Sequence, residues 1–197
     1  MVPRPMTPVV SRPMTLTLAV ALAATIAVSA QGKVKQYGRA TVEYRSDQVA
    51  VVANYDYSQR SHDTAWLLIG FAVQGRKSPI VIQRSDLSLQ TPDERTIPVA
   101  TQQMFLEDSK ILTPLFQNAS IWSRTLDDYF PSRPAQRTVT FFARPGAIVQ
   151  DSVSTHPDEV ATGDLLFKAP DGKWPQGTYR LVLNHDKAKA DLPINLE

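Results

Sequence analysis

Thr178-Tyr-Arg-Leu-Val-Leu183 and, one turn later, Ala190-Asp-Leu-Pro-Ile-Asn-Leu196 decide the fold class of this chain. Tyr179, Leu181 and Leu183 fall on one face of the first segment, and Ala190, Leu192, Ile194 and Leu196 on one face of the second. A period of two is the pattern of a strand with one face in a core. Asn184-His185-Asp186-Lys187 between them is turn chemistry, so the two segments read as an antiparallel hairpin. Pro193 has no amide hydrogen to donate, which puts the last strand at a sheet edge or on a bulge. The chain therefore reads as mainly β.

Working outward, Asp164-Leu-Leu-Phe-Lys168 is a further strand, separated from the hairpin by the Pro- and Gly-rich turn Ala169–Gly177. Thr138–Arg144 reads as a strand closed by Pro145-Gly146, and a second possible strand runs from Ala147 to Val153. Near the other end, Thr41–Tyr44 and Gln48–Tyr57 flank a Ser46-Asp47 turn, with Val49, Val51, Ala53 and Tyr55 on one face. Ser58–Thr64 is a polar loop, and Ala65–Val73 is continuously apolar, as in a central strand covered on both faces. A buried helix competes for that run, which is short and holds Gly70. Ile80–Ile82, Leu87–Leu89 and Ile97–Val99 are short strands, with a Thr91–Arg95 turn before the last. Between Gln102 and Phe130 apolar pairs recur at helical spacing. Pro114 interrupts that stripe and Pro131 and Pro134 end it, which predicts two short helices inserted into a β protein. Many short strands with frequent turns favour an antiparallel β-sandwich over a barrel.

Phe167, Asp171-Gly-Lys-Trp174, Pro175-Gln-Gly-Thr-Tyr-Arg-Leu-Val-Leu183 and Leu192-Pro-Ile194 together resemble the closing hairpins of bacterial extracytoplasmic immunoglobulin-like domains. In those domains "Gly, one residue, Tyr, one residue, hydrophobic" opens the penultimate strand. The resemblance covers about thirty residues of the C-terminal third and implies an immunoglobulin-like antiparallel β-sandwich. It implies a binding or scaffolding role and brings no shared catalytic residues. The helical insert lies outside its pattern.

The first thirty residues carry a different message. Arg4 and Arg12 precede a weakly apolar run from Met14 to Val28, and Val28-Ser29-Ala30 places small residues where a signal peptidase reads. The run is shorter than the roughly 20 residues a spanning helix needs. Residues 1–30 therefore read as a signal peptide, with an uncleaved anchor as the competing reading. Residues 31–38 form a short tether and residues 39–197 a single sandwich domain with its insert at about 102–130. The expected location is periplasmic or secreted, and Gln31 at the new N-terminus rules out a lipid-anchored cysteine there. Removing the leader takes two arginines and no acid from 21 basic and 19 acidic residues, so the mature chain carries 19 of each. No basic patch marks a nucleic-acid or anionic-membrane partner. With no cysteine, thiol catalysis and zinc–thiolate sites are excluded.

Catalytic motifs are absent from the sequence. Each of the three histidines has a nearby acid: His62-Asp63, His156-Pro157-Asp158-Glu159 and His185-Asp186. All fall in turns, where solvated His and Asp are ordinary; the densest, His156 with Asp158 and Glu159, would serve a hydrolase or metal-dependent enzyme if it converged on a cleft. Carboxylate neighbours at Asp93-Glu94, Glu107-Asp108, Asp127-Asp128 and Asp158-Glu159 should diverge instead of pairing across a site. Asp127-Asp128, beside Trp122, Tyr129 and Phe130, could line a ligand ledge or simply face solvent. Trp66, Phe71, Phe141, Phe167 and Tyr179 are assigned to the core. The insert aromatics either form a binding surface or plug the open end of the sandwich. The expected function is a non-catalytic domain that binds a protein or envelope component, with no catalytic, cofactor-binding or metal-ligating residue assigned and no cofactor expected.

Overall fold

The computed structural model describes residues 32–122, 125–132 and 134–197; the predicted signal peptide lies outside the described residues. The N-terminal half forms β1 (Lys33–Tyr37), β2 (Thr41–Arg45), β3 (Val49–Asn54), helix α1 (Asp56–Arg60), β4 (Trp66–Gly75), β5 (Ile80–Gln83), β6 (Leu87–Gln90) and β7 (Thr96–Pro98). The insert is α2 (Gln102–Glu107), α3 (Ser109–Trp122) and a 3-10 turn at Leu126–Tyr129. The chain closes with β8 (Ala135–Val139), β9 (Ser152–Thr155), β10 (Glu159–Lys168), β11 (Gly177–His185) and β12 (Ala188–Leu196).

These strands make a six-stranded sheet in the order β1-β2-β3-β4-β10-β8, a four-stranded sheet β12-β11-β6-β7 and a small β5-β9 pair. The fold is mainly β and sandwich-like. Residues of odd number on β3, β4 and β10, such as Val51, Phe71 and Phe167, share one core with Leu89, Leu181, Leu183 and Leu192 of the smaller sheet. The opposite face of the large sheet is covered by the insert. Trp66, Leu68 and Leu166 pack on Phe105, Leu112, Leu115 and Ala119. Ala50, Val52, Ala72 and Val160 pack on Leu126 and Phe130. The central strands are thus buried on both sides, which is why Ala65–Val73 lacks alternation.

The C-terminal hairpin follows its pattern, with β12 at a sheet edge and Ala188, Ala190, Leu192, Ile194 and Leu196 all buried. Trp66, Phe71, Phe141, Phe167 and Tyr179 are all buried as assigned. Other expectations are corrected. The predicted tether contains β1, antiparallel to β2, because Tyr37 has partners to reach: its hydroxyl donates to Glu43 Oε2 at 2.7 Å and its ring meets Tyr129 edge-on at 4.9 Å. The polar Ser58–Thr64 loop begins inside α1. β3 stops at Asn54 opposite Gly70, so Leu68 of β4 has no strand neighbour on the β3 side. Ser58 replaces it, its hydroxyl donating to the Leu68 carbonyl at 2.6 Å and accepting the Leu68 N–H at 2.9 Å.

Helix α3 runs through Pro114, and the break falls earlier, at Asp108. Thr113 Oγ1 donates back to the Ser109 carbonyl at 2.8 Å, which supports the turn around the proline. The strand expected over Thr138–Arg144 is instead β8, three residues earlier, and it pairs parallel with β10. Its residues are mostly exposed and carry no alternation; the backbone of β10 selects its register. Gly163 permits this approach, since a Cβ there would lie 2.6 Å from the Val139 carbonyl. The strand considered over Ala147–Val153 is realised later, as β9. The insert lies on the sheet face and does not plug the end of the sandwich.

Candidate functional site

Two anchors hold the insert down, and a cleft opens between them. At one end Asp108, in the break between α2 and α3, accepts a bond from the Trp66 indole at 3.0 Å and pairs with Lys168 at 2.7 Å. The Lys168 amine beside it, and the two hydrogen bonds, hold the Asp108 carboxyl below its ordinary pKa. At the other end Arg45, itself paired with buried Glu43, donates to the Tyr129 carbonyl at 3.2 Å. Between the anchors the covered sheet face is polar. By register Asn54 of β3, Gly70 of β4 and Asp164 of β10 stand side by side, and Thr162 neighbours Thr138 of β8.

Gly70 makes room in that row. A Cβ there would meet the Asn54 carbonyl and Leu126 Cδ1 at 3.6 Å, an ordinary contact, so any side chain beyond it would enter the open space. The resulting cleft has a volume of about 380 Å³, within the range of small-molecule sites. Asn54, Gly70, Thr138, Thr162 and Asp164 form its floor and Tyr57, Phe116, Leu126 and Asp127 its walls. Asp164 keeps surface open to the cleft, while protein crowds it on its other sides; desolvation raises its carboxyl pKa. Asp127 Oδ1 is buried in the wall with no hydrogen-bond partner among the described residues. Among the described residues lining the cleft there is no Lys, Arg or His.

The histidine clusters do not converge on it. His156 sits in the turn between β9 and β10, its ring 4.0 Å from Asp158 and 3.9 Å from Glu159. Asp158 projects into solvent, and Glu159 is taken by Arg137 at 2.5 Å. The His62 ring lies 3.1 Å from the carbonyls of Trp174 and Glu197, a joint between loop and C-terminus. His185 Nδ1 accepts the Lys187 N–H within its turn. Two of the carboxylate pairs diverge: Glu107 bonds Gln103 while Asp108 faces the sheet, and Asp127 enters the cleft wall while Asp128 is exposed. Of the insert aromatics, Phe130 is core and Tyr129 is half-buried; the Trp122 side chain lies outside what is described.

The sequence reading missed Asp164, Asn54, Gly70, Thr138 and Thr162. For Gly70 and Asp164 a signal is present in the sequence, a glycine inside the apolar β4 and a carboxylate next to Leu165-Leu166-Phe167 of β10, where neither contributes to packing. Comparison with family models, with curated proteins and with solved structures finds no match for the chain.

Proposed function

We propose that this chain is an exported, periplasmic or secreted, non-catalytic β-sandwich domain that binds an envelope component in the cleft beneath its helical insert. The observation that carries this reading is the Asn54–Gly70–Asp164 row: a polar gap, opened where Gly70 has no side chain, in a sheet face that is apolar at both ends. A sheet that needed only a cover would continue its apolar surface across this row. The resemblance to extracytoplasmic immunoglobulin-like domains is supported by Tyr179, whose hydroxyl donates to the Pro175 carbonyl four residues upstream at 2.7 Å. That bond matches the tyrosine corner of such sandwiches. The leader-like N-terminus supplies the envelope setting.

Filling the gap tests the reading. Gly70→Leu keeps the Cβ in open contact and sends the remaining atoms into the cleft. Native mass spectrometry of the mature protein incubated with soluble envelope fragments should show a bound species on the parent. The Gly70→Leu protein, matched for melting temperature, should lack it. Equal adducts on both proteins, or none on the parent, would refute binding in the cleft.

A further inference from the structure

We propose that the ligand of this cleft is a small primary amine, held in its ammonium form, with Asp164 as its charge partner. The inference rests on the cleft being the binding site and names the chemistry of its occupant. The described lining residues hold two carboxylates, Asp127 and Asp164, and no basic side chain. Among the described residues neither carboxylate has an ion-pair partner, and Asp127 Oδ1 is a buried acceptor without a donor. Around them stand further acceptors, the Asn54 amide oxygen and the hydroxyls of Thr138 and Thr162, close to the aromatic rings of Tyr57 and Phe116. An ammonium group brings a positive charge and three donors into a site short of both. The apolar part of the wall, Leu68, Phe116 and Leu126, suits a short hydrocarbon body behind the charge.

Anions are disfavoured by the same lining, since a carboxylate or phosphate would face Asp164 and Asp127 with no lysine, arginine or histidine among the described lining residues to offset them. A neutral alcohol would meet the acceptors with one donor and leave the charge of Asp164 uncompensated. Desolvation raises the Asp164 pKa, and among the described residues lining the cleft there is no cation beside it. The other titratable groups among the described residues lining the cleft are Asp127 on the 3-10 turn and Tyr57 on α1. A bound ammonium would draw the Asp164 proton off, so amine affinity should rise with pH through the raised carboxyl pKa.

The probes are n-butylamine, 1-butanol and butyrate, identical in length and different in charge, titrated by NMR into the mature protein and into Asp164→Asn. The amine should shift resonances of the Asn54–Gly70–Asp164 row. Asp164→Asn should weaken it about tenfold or more, as loss of a charged hydrogen bond does. Asp164→Asn keeps the shape and removes only the charge. Equal binding of 1-butanol, or butylamine binding untouched by Asp164→Asn, overturns the amine assignment and leaves the cleft as a neutral-ligand site. Preference for butyrate overturns it as well. Absence of butylamine binding overturns it too. In that case the envelope-fragment adduct, present on the parent and lost in Gly70→Leu, shows whether the cleft reading survives.

Discussion

Desolvation makes ionising Asp164 harder in the folded chain than in the unfolded one, and this has a signed consequence for stability. Below the ordinary carboxylate pKa both states are protonated and the residue is neutral to folding. As pH rises through the window between the ordinary and the raised value, the unfolded chain releases its proton first, and stability falls. Above that window the penalty is constant. Asp164→Asn should therefore melt with the parent near pH 3 and melt higher than the parent at pH 7. Thermal unfolding across pH reads this directly, and an Asn variant less stable at neutral pH would contradict it. A charge that opposes folding adds nothing to the stability of the sheet, which is the physical sense in which Asp164 stands out as a candidate site residue. Asn54 differs: its side-chain amide already donates to Thr41 Oγ1 at 2.8 Å, so it helps to hold the floor in place.

At the scale of elements, the insert is a cover pinned at two points. Its α3 end depends on Asp108, whose lowered pKa means that the ionised form is preferred in the folded chain. That contribution is present above the ordinary carboxylate pKa and is lost as pH falls through the lowered value. Asp108→Asn removes the charge partner of Lys168, and hydrogen exchange should report the loss locally. Amides of Ser109–Trp122 should exchange several-fold faster, while those of β4 and β11 keep their protection, because local opening is set by local contacts. Uniform acceleration across all strands would show that the insert and the sandwich unfold as one unit. The two short helices were legible from their spacing, but their junction was not. Proline is a reliable breaker only where the chain has no other support, and here Asp108 is drawn out of the helical path by Trp66 and Lys168, which arrive from distant strands.

At the scale of the whole molecule, the proposed leader ends just before the fold begins at β1. The leader prediction places the mature N-terminus at Gln31, two residues before β1 begins at Lys33. Mass spectrometry of protein recovered from an extracytoplasmic fraction should find Gln31, open or cyclised, as the first residue; an intact Met1 would contradict cleavage. Cleavage there leaves β1 whole, with Tyr37 still able to reach Glu43 and Tyr129. Among the described residues no helix is long and apolar enough to cross a membrane. Two anchors and a continuous sheet thus fix the walls of the cleft relative to its floor, as a binding site needs.

The sequence by itself determined the mainly β class, the closing hairpin with Pro193 at an edge, the core aromatics and the helical character of the insert. These properties depend on periodicity, on proline's missing amide and on side-chain size, which act within a few residues of chain. Only the tertiary structure decided that the insert covers a sheet face, that β8 runs parallel to β10, and that β1 is a strand. It alone also set Asn54, Gly70 and Asp164 side by side. Those three belong to separate strands, ten or more residues apart, and register between strands is chosen by backbone pairing and by burial of both faces at once. A polar row across a sheet has no period along the chain, so it becomes visible only when the strands are laid beside one another.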